Sequence, residues 1–236
     1  MENYMPKKHA QKDSDSEFLL IETLLWRPDQ GYWFLADHLE RLAASAKYFD
    51  FSCNCDRLEK QLVAYSSQFS EVLRVRLTLA RNGAASMTSQ PCALPRNSRL
   101  PDRPESASGQ LPWVMLADAA TDESECWRIH KTTHREIYDQ GFALAREKGY
   151  FDQIYVNKKG EITEGSIANV VIYREDVYLT PPVSCGLLPG VMRKQLMADP
   201  AVKIKEQILY PADIRAAEAL FLVNSVRGVV RVQIDM

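Results

Sequence analysis

The 236-residue chain has no apolar run that approaches the ~20 residues of a membrane span. No membrane-spanning helix is therefore expected. A basic surplus is also missing: 29 Lys and Arg stand against 31 Asp and Glu, a formal net charge of -2. Neither nucleic acid nor an anionic membrane is expected as a partner. Small acidic substrates stay open, because individual arginines can bind them without a basic total. Cysteine is sparse and odd in number, at Cys53, Cys55, Cys92, Cys126 and Cys185, and its spacing is not that of a disulfide framework. Cys53-Asn54-Cys55 has no second cysteine or histidine pair nearby, so no metal site is expected. Reduced thiols in a cytoplasmic protein are the expectation. Met1 to Ser16 is polar and charged, lacks the apolar core of a signal peptide, and reads as a disordered lead.

What remains is ordinary globular composition, 46% apolar and 25% charged, in a chain long enough for one or two domains. Glu17 to Trp26 reads as a strand that Tyr32–Leu35 could join across the Pro28–Gly31 turn. Asp37 could cap a helix carrying Leu39, Leu42, Ala43 and Ala46, and a second helix is predicted over Arg57 to Gln68. Leu73 to Ala80 alternates: Leu73, Val75, Leu77 and Leu79 share one face, Arg74, Arg76 and Thr78 the other, as in a half-exposed strand. Asn82-Gly83 signals a turn, with Ala85 to Ala93 as the returning strand. The Pro-, Ser-, Arg- and Asp-rich stretch 95–112 reads as a linker between a smaller subdomain, 17–94, and a larger one, 113–236. Within the larger, a strand ends at Leu116 and a helix is predicted over Thr132 to Lys148, with Ile137, Phe142 and Leu144 on its apolar side. Short strands follow at 153–156, 169–173, 177–179, 219–223 and 229–234. A helix opens at Gly190 and a helical turn at Pro211. The pattern is α+β.

Chemistry could sit in several places. Lys131 lies between a strand and a helix, flanked by Arg128, His130, His134 and Arg135. Such a lysine is usually a solvated surface charge, but cationic neighbours and partial burial would lower its pKa and suit it to imine chemistry. Glu164 lies between two strand-like runs. It is either a turn glutamate in water or a carboxylate able to keep a pyridine nitrogen protonated. Gly190 enters a helix whose first N–H groups could meet a phosphate, or which is a plain loop-to-helix entry. Arg41 has the planar fork that suits a phosphate, although an exposed ion pair is the commoner fate of a helical arginine.

In this order the segments resemble the fold-type IV PLP enzymes, the class IV aminotransferase family. The resemblance runs from about Glu17 to the C-terminus. It is carried by Ile21-Glu22-Thr23, His38-Leu39-Glu40-Arg41-Leu42, His130-Lys131-Thr132-Thr133, Thr163-Glu164-Gly165 with Asn169, Leu179-Thr180-Pro181-Pro182, Gly186 through Arg193, and Asn224-Ser225-Val226-Arg227-Gly228. His-Lys-Thr-Thr, Thr-Pro-Pro with Cys-Gly-Leu-Leu-Pro-Gly, and Asn-Ser-Val-Arg-Gly are most similar to the 4-amino-4-deoxychorismate lyase-like domain often fused to aminodeoxychorismate synthase component I. Branched-chain aminotransferases carry a tyrosine five residues after the lysine; Glu136 stands there in this chain. The synthase half is not in this sequence, and the first strand lacks the Asp-Gly that often precedes the family's Phe-Glu-Thr.

The resemblance implies two α/β subdomains of the D-amino-acid aminotransferase-like type, with pyridoxal 5′-phosphate (PLP) in the cleft between them, and a homodimer. It maps Lys131 to the lysine that holds PLP as a Schiff base and Glu164 to the partner of the ring nitrogen. Arg41, Gly190, Val191, Met192 and Ser225 map to the phosphate site. It also implies β-elimination of pyruvate from aminodeoxychorismate to give 4-aminobenzoate, a step of folate biosynthesis, and a functional link to the synthase. The alternatives are a transaminase acting on branched-chain or D-amino acids and a silent PLP- or partner-binding domain. For the two carboxylates of aminodeoxychorismate the candidates are Arg227, in the turn after Ser225, and Arg76, on the polar face of its strand. For each, a surface ion pair is the alternative.

Overall fold

A computed structural model describes residues 18–105 and 109–235. The expected lead over 1–16 and residues 106–108 of the expected linker lie outside the described residues.

A four-stranded antiparallel sheet comes first, built from β1 (Leu20–Arg27), β2 (Gly31–Tyr32), β3 (Leu73–Leu79) and β4 (Ala85–Pro91), in the order β2-β1-β3-β4. Two helices, α1 (Leu35–Phe49) and α2 (Cys55–Ser66), cover one face. Period-2 alternation sends Leu20, Leu24, Trp26, Leu73, Val75, Leu77 and Leu79 to that face, where they meet Leu39, Leu42, Ala46, Leu58 and Leu62. β4 is an edge strand, which accommodates Pro91 at its end. Asn54 caps α2 by accepting from the Arg57 N–H at 2.9 Å. Asp37, expected to cap α1, does not. Phe34, in the left-handed region, occupies the cap, and Asp37 instead accepts from Gln195 at 2.8 Å and pairs with Lys194 at 2.8 Å.

The second sheet holds β5 (Trp113–Leu116), β6 (Asp152–Val156), β7 (Ile162–Gly165), β8 (Asn169–Arg174), β9 (Val177–Thr180), β10 (Ile204–Glu206), β11 (Ala219–Asn224) and β12 (Gly228–Asp235). Their order is β10-β9-β8-β11-β12-β5-β6-β7, and the pair Glu164–Asn169 joins β7 back to β8. Six strands thus close into a ring. α3 (Glu136–Glu147) packs on β6, and α4 (Val191–Ala198) packs on β11 and β10. The short α5 spans Pro211–Arg215.

The helix expected from Thr132 begins at Glu136, because residues 131–133 are drawn into backbone pairing with β1. Its buried face is Tyr138, Gly141 and Ala145, not Ile137, Phe142 and Leu144. A Cβ on Gly141 would lie 1.8 Å from Gln153 Nε2, so only glycine lets α3 approach β6 this closely.

The stretch 95–112 is not a free tether in its described part. Leu100 is buried in the large-sheet core, Tyr178 donates to the Pro101 carbonyl at 2.6 Å, and the Val229 N–H donates to Asn97 O at 2.9 Å. On the two sheets we propose the division into subdomains over 17–94 and 113–236.

Candidate active site

A cavity of about 280 Å³ opens between the two sheets. Lys131 lines it. The main chain around this lysine belongs to the small sheet in all but sequence: Ile21 N–H donates to Lys131 O, and Thr133 N–H donates to Leu19 O, both at 2.9 Å. The Leu19 N–H returns a bond to Thr133 Oγ1 at 2.9 Å. Lys131 keeps some surface open to the cavity. Burial of its amine is nonetheless the main cause that pulls its pKa down to about 7, with Arg135 and Arg41 adding to the effect against Glu22 and Glu164. Near neutral pH a large fraction of this amine is unprotonated, as a nucleophile or general base requires.

Glu164 enters from the opposite side, on β7. It is 6% exposed, so it is not a turn residue in water. Burial pushes its carboxyl up to about 7, while Tyr138, the Leu188 N–H, Lys131 and Arg135 pull the other way. The Tyr138 hydroxyl donates to Glu164 Oε1 at 2.9 Å.

Arg41 is drawn to the cavity wall by a buried network. Its Nε and Nη2 donate to the two oxygens of Glu22 at 2.9 and 2.7 Å, and His38 Nδ1 lies 2.7 Å from Glu22 Oε2. Burial alone would raise the Glu22 pKa, but Arg41 and His38 overcome it and hold the carboxyl near 2. Arg41 Nη1 donates to Pro189 O at 3.1 Å, one residue before the cap of α4. Arg41 and the start of α4, far apart in sequence, therefore meet. A Cβ on Gly190 would lie 1.9 Å from Asn169 Oδ1, so the close approach explains this glycine; its φ of -67° is open to any residue. No side chain caps α4, and its first turn carries no acid. Gly190, Val191 and Ser225 line the cavity; the Met192 side chain packs in the large-sheet core instead.

Arg76 and Arg227 reach the same cavity from different sheets. Neither guanidinium has a hydrogen bond or ion pair among the described residues; Arg227 lies over Phe142 and Phe151, 6.0 and 5.8 Å from the ring centres. Burial lowers the pKa of both; like-charge repulsion from Arg135 and Arg74 lowers Arg76 further and from Arg74 and Arg146 lowers Arg227 further, while Asp139 and Asp152 respectively pull the other way.

A family model described as amino-transferase class IV matches residues 19–234. The chain belongs to the class IV aminotransferase family. A Schizosaccharomyces pombe protein provisionally named aminodeoxychorismate lyase is 27% identical over 219 residues, 89% of this chain and 87% of that protein. A solved Mesorhizobium loti structure, provisionally titled an amino-acid aminotransferase, is 31% identical. It superposes with a TM-score of 0.81 over 93% of this chain and 100% of its own. A Legionella pneumophila structure with the provisional title 4-amino-4-deoxychorismate lyase shares the fold, with 19% identity and a TM-score of 0.74 over 98% of this chain and 89% of its own.

Members of the class IV family are PLP-dependent. The cavity fits that cofactor: a desolvated amine, a buried carboxylate and an uncapped helix start beside an arginine converge on it. We propose that Arg41, the first N–H groups of α4 at Val191 and Met192, and Ser225 hold the phosphate. Replacing Arg41 by alanine is expected to weaken PLP binding roughly 10- to 150-fold, the loss of one charge-assisted contact worth about 1.5–3 kcal/mol. A fluorescence titration with PLP measures it, and unchanged affinity would remove Arg41 from the site.

Two residues that hold side chains of this cavity in place carry no chemical label in the sequence. Glu22 orients Arg41, and its signal was available: a lone acid inside the apolar run Leu19 to Leu25. Tyr138 left no signal, because a tyrosine in the first turn of an amphipathic helix is ordinary core material.

Proposed function

We propose that this class IV enzyme is a PLP-dependent lyase that eliminates pyruvate from 4-amino-4-deoxychorismate and leaves 4-aminobenzoate. One observation carries the choice of substrate class. Arg76 and Arg227 bring two guanidiniums with no hydrogen bond or ion pair among the described residues into the cavity that holds Lys131 and Glu164. A dianion would supply the missing partners, and aminodeoxychorismate has two carboxylates. The Schizosaccharomyces pombe relative, matched over most of both chains, supports the same reading.

When bound, PLP supplies a protonated ring that accepts electrons from the carbon next to the substrate amine. In this reading Glu164 holds the proton at the ring nitrogen. The Lys131 amine takes the proton from substrate C4, which its lowered pKa allows near neutral pH. The C3–O bond then breaks, the departing enolpyruvate takes up one proton, which the protonated Lys131 amine can return, and leaves as pyruvate; the ring left behind is aromatic, and its formation supplies driving force. Arg76 and Arg227 fix the carboxylates so that the C4–H bond faces Lys131.

The test is incubation with aminodeoxychorismate without a keto-acid acceptor. Equimolar pyruvate and 4-aminobenzoate are expected; turnover only when an amino acid and a keto acid are supplied would make the enzyme a transaminase. Arg227→Lys is also expected to impair the enzyme, because the planar fork is lost while the charge stays. The loss should appear in kcat/KM, roughly 10- to 150-fold for a charge-assisted contact, with PLP affinity little changed. Wild-type kcat/KM in Arg227→Ala would remove it from the substrate site.

A further inference from the structure

We propose that Tyr138 is the positioning residue for Glu164: its hydroxyl fixes one carboxylate oxygen and favours the ionised form that faces the cavity. The inference rests on the reading of Glu164 as the cofactor's carboxylate, but its geometry stands without it. Tyr138 is the one side chain hydrogen-bonded to Glu164 among the described residues, at 2.9 Å. Its own position is determined on every side. Arg128 and Arg135 lie 5.4 and 5.7 Å from its ring centre. Tyr155 meets it edge to face at 5.1 Å, and the glycine at 141 lets this end of α3 press onto β6. Arg128 is itself bonded to Glu125, and Arg135 to Asp139 and to Ser166 O. The hydroxyl is thus held on a rigid, cation-flanked ring, and a carboxylate accepts such a bond better than a protonated carboxyl does.

The groups that face Glu164 are Tyr138 from α3, Lys131 and Arg135 from the preceding loop, and the Leu188 N–H from the segment before α4. Among these, Tyr138 is the partner whose bond can be deleted without removing a charge or disturbing the main chain. Tyr138→Phe keeps the ring, its edge contact and the stacking of both arginines, and removes the hydroxyl from Glu164 and from Arg128 alike.

The experiment is a carbon-13 NMR titration of glutamate side-chain carboxyls in the full chain freed of PLP, with Glu164→Gln identifying the Glu164 signal. In Tyr138→Phe the Glu164 midpoint is expected to rise by about one to two pH units, the loss of one hydrogen bond to a charged group. Tyr155→Phe is the control. It deletes another hydroxyl at the α3–β6 contact, one that donates to Ile137 O at 2.8 Å, and should leave the midpoint where it is. An unchanged midpoint in Tyr138→Phe overturns the proposal, and so does an equal shift in Tyr155→Phe, which would make the effect one of packing. With PLP loaded, Tyr138→Phe should lower kcat with KM nearly unchanged. If the Glu164 midpoint moves while Glu164→Gln retains full activity with PLP, the positioning role stands and the assignment of Glu164 to the cofactor falls.

Discussion

Replacement of Lys131 by alanine is expected to reduce turnover on the order of 10⁴-fold, the upper end of what a positioned acid–base group contributes. The reason is geometric as well as chemical. Among the described residues, Lys131 is the lysine that combines a cavity position with an amine pulled down to about 7 by burial, Arg135 and Arg41. The other lysines for which a shift is seen, Lys158 and Lys194, are raised by partners on the surface. The check has two parts. Pyruvate release gives kcat for the variant, and borohydride treatment of the wild-type protein with PLP followed by peptide mapping gives the attachment point. Reduced cofactor on the peptide containing Lys131 is the expected result; an adduct on a different lysine would sink the assignment.

The second large effect is on stability. Glu22→Gln keeps the shape of the side chain but removes the charge that pairs with Arg41 and His38 in a site where Glu22 is 1% exposed. Breaking a buried pair by removing one partner typically costs about 3–5 kcal/mol, since the other charge is left uncompensated. For a chain of this size that is a fall in Tm on the order of 10 °C. The pH dependence has a definite sign. The Glu22 carboxyl is lowered from its ordinary 4.5 to about 2 in the folded protein. Its contribution is therefore fully present above pH 4.5 and is lost as pH falls through about 2, a change on the order of 3 kcal/mol. Wild type should lose stability over that acid window, and Glu22→Gln should lose less across it. Urea denaturation at a series of pH values measures both; parallel acid profiles would show that the network is not what stabilises this corner.

Much of the small sheet could be read from residue order because its physics is local. The alternation from Leu73 to Leu79 places Arg74 and Arg76 on the face away from the helices, and the structure keeps both there. The turn at Asn82-Gly83 follows from chemistry confined to a few residues. The candidates for the site were legible as residue types in family order, but their setting was not. Whether Lys131 is a wet surface charge or a desolvated amine depends on its backbone pairing with β1, more than a hundred residues earlier, and no local signal encodes that contact. The face that α3 buries departs from its apolar pattern for a related reason. Ile137, Phe142 and Leu144 have the apolar character, but the helix is pressed so close to β6 that glycine and alanine win that face. β10 escaped notice because a three-residue parallel edge strand carries too few residues for a period.

The pairing of Lys131 with β1 bears on how this enzyme could be rebuilt. The lysine belongs by sequence to the second half of the chain, yet its carbonyl and the N–H two residues later are bonded to Ile21 and Leu19 of the first. Glu164, by contrast, is carried on the ring of six strands, where it makes the closing pair with Asn169. The amine's main chain is thus paired to one sheet and the carboxylate carried on the other, so the distance between them depends on how the two sheets meet. A chimera that took its first ninety or so residues from a relative would inherit that relative's placement of the amine while every residue of the recipient's lysine segment stayed the same. Preserving the position of the amine in such a chimera therefore means moving β1 and the lysine segment as one cassette.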